Sequence, residues 1–195
     1  YHDYITRSRH EKRRCLARDK YCFKMYSWMA CTFPVIPNNV IKWYTSNCQI
    51  KDERVVPIPF GINPDALEPI QQLIKYKPDS KLERSNKVVA CWTNTTNQRA
   101  YIKGSLDKST FYTDSCEQEE YFRRLLTSKY CLCPEGNGLD CYRILECLYL
   151  GCLPIIVSNI QNPVWQRAYH IGLPIVRPNE IGAVLSNLLA SDITL

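Results

Sequence analysis

The sequence predicts an α/β fold: a parallel sheet flanked by helices. Three observations predict it. From Lys87 onward, short apolar runs alternate with helix-like segments over about a hundred residues, the pattern of a doubly wound parallel sheet. The stretch from Lys129 to Ser158 (KYCLCPEGNGLDCYRILECLYLGCLPIIVS) reads as a buried strand, a glycine loop, an amphipathic helix and a second buried strand. A length of 195 residues suits one large domain or two small ones and is enough to bury a substantial core.

Taken in order, residues 1–33 are rich in charge and aromatics. Leu16, Cys22, Phe23, Tyr26 and Met29 approximate a helical stripe, which predicts one or two helices. Pro34, Pro37, Asn38 and Asn39 form a break. Val40 to Thr45 alternates as a strand, and Arg54 to Phe60 is a second extended piece. Pro57 and Pro59 make that piece an edge strand or a rigid linker. Gly61 to Pro64 turns into a helix from about Asp65 to Lys75. The polar segment Lys77 to Asn86 is a joint. It divides the chain into residues 1–80, a partial N-terminal part, and residues 81–195, a C-terminal Rossmann-like part.

Beyond the joint, Lys87 to Trp92 is a buried strand, followed by a polar loop, Thr93 to Arg99, and a helix through Gly104. Ser109 to Thr113 is a strand backed by a helix from Glu117 to Ser128. In the central unit, Tyr130 to Cys133 ends at Pro134, which lacks a ladder N–H. Gly136 and Gly138 permit a tight turn, and Asp140 is an N-cap for a helix from about Cys141 to Leu150. Gly151 ends that helix and Leu153 to Val157 is the next strand. A helix from Pro163 to Tyr169, a strand from Leu173 to Val176 and a helix from Asn179 to Leu189 complete the pattern.

A formal charge of +6 is a mild bias toward anionic ligands and falls short of the dense basic clusters that nucleic acid requires. Eleven cysteines without one C-x-x-C pair argue against zinc ribbons and thioredoxin-type sites. Several lie in predicted strands, where a free thiol packs as a small hydrophobe. Reduced thiols in a cytoplasmic compartment are the expectation, with one or two disulfides left open. No run approaches the ~18 apolar residues of a membrane span. The chain starts at Tyr1 without methionine, so a missing targeting segment carries no weight.

Gly136-Asn137-Gly138 matches only the first two glycines of a dinucleotide fingerprint, and Ser158, Asn159 and Ile160 stand where its acidic residue belongs. P-loop and G-x-S-x-G motifs are absent, and only His2, His10 and His170 exist. The helix instead offers Asp140, Arg143 and Glu146 at steps of three, near one face. Ile144, Leu145, Leu148 and Tyr149 remain to pack toward the sheet. An arginine at a helix N-terminus opposes the dipole unless an anion is bound. A diphosphate supplies that anion: Gly136, Asn137 and Gly138 offer backbone donors, Arg143 offers a fork, and Glu146 accepts from ribose hydroxyls. The alternative is an Arg143–Glu146 pair on a solvated helix face, worth a few tenths of a kcal/mol.

The segment from Tyr121 to Asn159 resembles the signature of exostosin-like glycosyltransferases, the family-47 type. The motifs are Ser128-Lys129, Cys131-Leu132-Cys133-Pro134-Glu135-Gly136, Arg143, Glu146-Cys147-Leu148, Gly151-Cys152-Leu153-Pro154-Ile155-Ile156 and Ser158. Pro57 to Gly61 carries a weaker likeness. The resemblance implies a GT-B architecture, two Rossmann-like domains with the nucleotide-sugar on the C-terminal one, and here a reduced or truncated N-terminal part. It places Arg143 on the diphosphate and Glu146 on the ribose. The loop after the first strand adds Asn94 and, as a second phosphate candidate, Arg99; a solvated loop arginine is the alternative for the latter. Also implied are a UDP-linked donor, a glycan or glycoprotein acceptor, inversion at the anomeric carbon, and no bound metal, in keeping with the absence of D-x-D. His2, Asp3, His10 and Asp65 are loosely placed base candidates, and none is chosen. The sequon Asn94-Thr95-Thr96 would put a glycan over this site, which favours a compartment without that modification, with the Golgi lumen as alternative. The rival reading is a non-catalytic module that keeps the fold and only binds a nucleotide or a partner.

Overall fold

Among the described residues, two separate sheets, both parallel, carry the fold. The computed structural model describes residues 21–23, 36, 38–46, 52–75, 84–158 and 174–190. The first sheet has the order β1-β2-β3, with β1 at Tyr21–Phe23, β2 at Lys42–Thr45 and β3 at Val55–Pro57. The proline-bearing strand β3 is at the edge, where a missing N–H costs least. The Ile58 N–H continues the ladder to the Thr45 carbonyl at 3.0 Å. The helical stripe drawn through Cys22 and Phe23 is corrected here: Tyr21, Cys22 and Phe23 pair in register with Lys42, Trp43 and Tyr44. A short aromatic run suits a strand as well as a helix, and pairing with β2 decides between them. The rest of that stripe, the helix expected at 163–169, and His2, Asp3 and His10 lie outside the described residues.

Helix α1 (Pro64–Lys75) follows the extended segment after β3. Gly61 turns the chain with a φ of +100° that a side chain rarely tolerates. The Asn63 side chain then accepts from the Asp65 N–H at 3.2 Å, an Asx turn ahead of the helix.

The second sheet contains β4 (Val88–Val89), β5 (Phe111–Tyr112), β6 (Tyr130–Pro134), β7 (Leu153–Val157) and β8 (Ile175–Val176) in the order β5-β4-β6-β7-β8. Helices α2 (Asn97–Ser105), α3 (Gln118–Thr127), α4 (Tyr142–Tyr149) and α5 (Ile181–Ala190) provide its layers, with a 3₁₀ turn at Pro178–Glu180 before α5. Alternation along each strand divides the core in two. Val89, Cys91, Cys131, Cys133 and Ile156 face α1, α3 and α4, with Phe122, Leu125, Ile144 and Cys147 from the helices. Val88, Ala90, Trp92, Tyr130, Leu132, Ile155 and Val157 face α2 and α5, through Ile102, Ile181 and Leu185. Strands buried on both faces read as unbroken apolar runs, which is why they stand out in the sequence.

Helix α4 ends as expected at Gly151, whose φ is +69°. Arg84 caps the neighbouring carbonyls, donating to Leu125, Ser128 and Leu150. The buried apolar side chains of α4 are Ile144 and Cys147; Tyr149 is exposed rather than packed toward the sheet.

The seams of this sheet are unequal. Strands β6 and β7 pair over five residues, whereas β4 and β6 share one pair, Val89 with Cys131. The strand expected from Lys87 to Trp92 is accordingly only Val88–Val89. Two prolines explain much of this. The N–H groups of Ile156 and Ser158 bond toward β8, so Pro154, two residues earlier, faces that side ahead of the described part of β8. The Glu135 N–H bonds Val157, toward β7, so Pro134 faces β4 and has no N–H to offer it. The sheet therefore opens between the C-terminal ends of β4 and β6. In this strand order the chain leaves in opposite directions on the two sides of that seam, which makes it the topological switch point where α/β sheets bind ligands.

Candidate functional site

Each side of the crevice carries an arginine that reaches across to the other. Arg99, in the first turn of α2, is buried and donates Nε to the Glu135 carbonyl at 2.9 Å and Nη2 to the Pro134 carbonyl at 3.2 Å. Its Nη1 reaches the Thr93 carbonyl and Thr95 Oγ1. The loop is set by Thr96, the N-cap of α2, whose Oγ1 accepts from the Arg99 N–H at 3.2 Å. Gly136 follows from the same contact: a Cβ there would lie 2.7 Å from Arg99 Nη2.

Arg143, in the first turn of α4, reaches the other way, donating Nη2 at 3.2 Å to the carbonyl of Cys91, two residues beyond β4. Its guanidinium lies 5.9 Å from the ring centroid of Tyr121, and its Nε is buried with no hydrogen-bond partner. Burial and then the charge of Arg143 pull the Arg99 pKa down, the mark of two cations sharing one crevice.

Glu146, one turn further along α4, is buried, and its Oε2 accepts from the Tyr121 hydroxyl at 3.2 Å. Burial pushes its pKa up, with Arg143 and the Tyr121 hydroxyl acting against that. The solvated Arg143–Glu146 pair weighed from the sequence is not what forms. Glu135, at the end of β6, has its carboxyl raised by burial and accepts from Ser158 Oγ at the end of β7.

The other expected residues divide. Asn137 is exposed at the loop tip, and the Gly136 N–H is spent on the Gly138 carbonyl at 3.1 Å. Asn94 is exposed and borders a 450 Å³ cavity with Lys87, Lys103 and Lys108 on the β4–β5 side. The N-cap of α4 is Cys141, which corrects the assignment of Asp140. Asp140 instead accepts from the Cys141 N–H at 2.8 Å and from the Phe60 N–H at 2.7 Å. The Phe60 ring packs tilted against Tyr142, with centroids 4.5 Å apart, so this carboxylate ties the segment entering α1 to the start of α4. Asp65 is exposed at the start of α1.

Tyr121 is the residue that sequence reasoning missed. Its one signal is a hydroxyl placed beside the otherwise apolar stripe Phe122, Leu125 and Leu126 on the helix that precedes β6. Among the described residues, the group with metal-ligand chemistry is Cys131, Cys133 and Cys147, whose sulfurs lie within 4.8 Å of one another. The seven cysteines from Cys91 to Cys152 are free thiols. Cys131 and Cys133 direct theirs toward backbone carbonyls within the core, the role of small hydrophobes.

The crevice thus presents two guanidinium groups, one spent on the protein and one with donors to spare, above a buried carboxylate. Residues 50–176 match the exostosin GT47 domain. The chain belongs to the exostosin GT47 family. Its parallel five-strand sheet with helices on both faces is the Rossmann-like arrangement of a GT-B fold. Among family relatives, it is 33% identical over 64 residues to an exostosin-1 homolog of Caenorhabditis elegans, covering 29% of this chain and 17% of that protein. It is 32% identical over 68 residues to an Arabidopsis thaliana protein named "Probable glycosyltransferase", covering 35% of this chain and 11% of that one. It is 40% identical over 43 residues to exostosin-1 of Drosophila melanogaster, covering 22% of this chain and 6% of that one. The chain thus matches less than a fifth of the length of these relatives. No described helix is long and apolar enough to cross a membrane.

Proposed function

We propose that this exostosin-family chain takes part in glycosyl transfer from a nucleotide-sugar, with UDP as the nucleotide, to a hydroxyl of a glycan or glycoprotein. The observation that carries this reading is Arg143: a guanidinium at the crevice with a buried, partnerless Nε, above the α4 N-terminus and three residues before a buried glutamate. A buried donor without a partner costs about 1–3 kcal/mol, a cost that a bound anion recovers. Arg143 and the α4 N-terminus bind the diphosphate, Arg99 adds charge from across the seam, and Glu146 accepts from the ribose. As the glycosidic bond breaks, the same cations stabilise the leaving diphosphate, so transfer needs no bound metal. Inversion requires a base for the acceptor hydroxyl, and none of the described residues is assigned to it. Seven free thiols support a reducing compartment over the Golgi lumen.

A thermal-shift titration with UDP, GDP, ADP and UDP-sugars, with no metal added, tests the reading. At 100 times its dissociation constant the right nucleotide stabilises the fold by about 2.7 kcal/mol. A shift with none of them overturns the reading. A shift with UDP, but no hydrolysis or transfer of any UDP-sugar, converts it to the second reading, a binding module.

A further inference from the structure

Arg143 and Glu146 are three residues apart on α4 and carry opposite charges, the spacing at which a helix ordinarily forms an ion pair. Among the described residues no such pair joins them. Each turns instead to one side chain on a neighbouring helix, Tyr121 in the first turn of α3: Arg143 over its ring face, Glu146 at its hydroxyl. Resting on the donor-site reading above, we infer that Tyr121 is a positioning residue that holds these two side chains apart, so that each keeps capacity for a nucleotide.

The physical argument is one of competing partners. A guanidinium and a carboxylate that close on each other neutralise the charge a diphosphate needs and spend the oxygens a ribose needs. The aromatic face attracts the cation without consuming an N–H. The phenol occupies one carboxylate oxygen and leaves Glu146 able to accept more. Burial holds the phenol well above its ordinary pKa, so it stays a donor. The thiols of Cys131 and Cys147 and the charged pair itself are the other titratable groups around it.

Tyr121→Phe keeps the ring and removes the hydroxyl, releasing Glu146 toward Arg143. The test is calorimetric titration of wild type and Y121F with UDP and with its 2′,3′-dideoxy analogue. Wild type should bind UDP more tightly than the analogue. Y121F should lose about tenfold in UDP affinity and most of that preference, with its melting midpoint within a few degrees of wild type. In Y121F/E146Q, which has no carboxylate to close on Arg143, affinity for the dideoxy analogue should return to the wild-type value. A Y121F protein with wild-type affinity and preference overturns this inference alone. A wild-type protein that binds neither nucleotide overturns the donor-site reading and this inference with it. A Y121F protein that fails to fold leaves the decision to the E146Q single variant: it must lose the preference for UDP, and retention of that preference counts against the inference.

Discussion

The first turn of α2 and the first turn of α4 each hold an arginine at the same crevice, and use it differently. Arg99 spends its guanidinium on four oxygens of the protein, three of them backbone carbonyls. Arg143 makes one such bond and keeps a buried Nε without one. Their surroundings explain the contrast. Pro134 leaves carbonyls at the end of β6 that β4 does not pair, and Arg99 replaces the missing strand contact. Arg143 emerges at a helix N-terminus, where free N–H groups already crowd and acceptors are few. A charge near a switch point is therefore no guide to function until its donors are counted.

The sharpest way to break this comparison is to remove each arginine in turn. Arg99→Ala should cost about 3–5 kcal/mol of stability, since it strands several buried acceptors of a charged donor; the midpoint of urea unfolding reads it. Arg143→Ala should change stability by less than about 1 kcal/mol yet weaken UDP binding by about 2–4 kcal/mol, read by titration calorimetry. If both variants behave alike, the distinction fails.

Gly136→Ala sharpens the same point from the other side of the contact. Its new Cβ displaces Arg99 Nη2 and should cost about 1–3 kcal/mol. In an Arg99→Ala background most of that cost should vanish, because the two sites share one contact.

The smallest expected effect concerns Glu146. Burial raises its folded pKa above the ordinary glutamate value, so its contribution to stability is full below the unfolded value and is lost as pH rises through the folded one. Glu146→Gln should flatten that loss in a series of melts from acid to neutral pH, and an unchanged pH dependence would remove this carboxyl from the balance.

Much of the C-terminal sheet was legible because its strands are buried on both faces and so spell apolar runs, each closed by a glycine, a proline or a polar loop. Arg143 and Glu146 were legible from helical spacing. What was hidden depends on partners distant in the chain. Asp140 looked like a cap because nothing local reveals that the N–H of Phe60, eighty residues earlier, claims its carboxylate. Gly136 read as room for a phosphate, yet the group that fills the space is Arg99. Tyr149 is exposed because the face of α4 that is buried is set by α1 and α3 as well as by the sheet. The strand at Tyr21–Phe23 is too short for any period to mark it.

The unequal seams of the sheet carry a consequence for its fluctuations. Strands β6 and β7 should open together, protected from hydrogen exchange up to the stability of the domain, whereas β4 and β5 are tied to them more lightly, by the Val89–Cys131 pair, the Ser85–Ser128 bridge ahead of it and two arginine straps. A ligand that bridges Arg143 to the β4 side would close that opening route. Its footprint in an exchange experiment would then fall on the amides of Val88 to Cys91, which it need not touch, as well as on the loop that holds it.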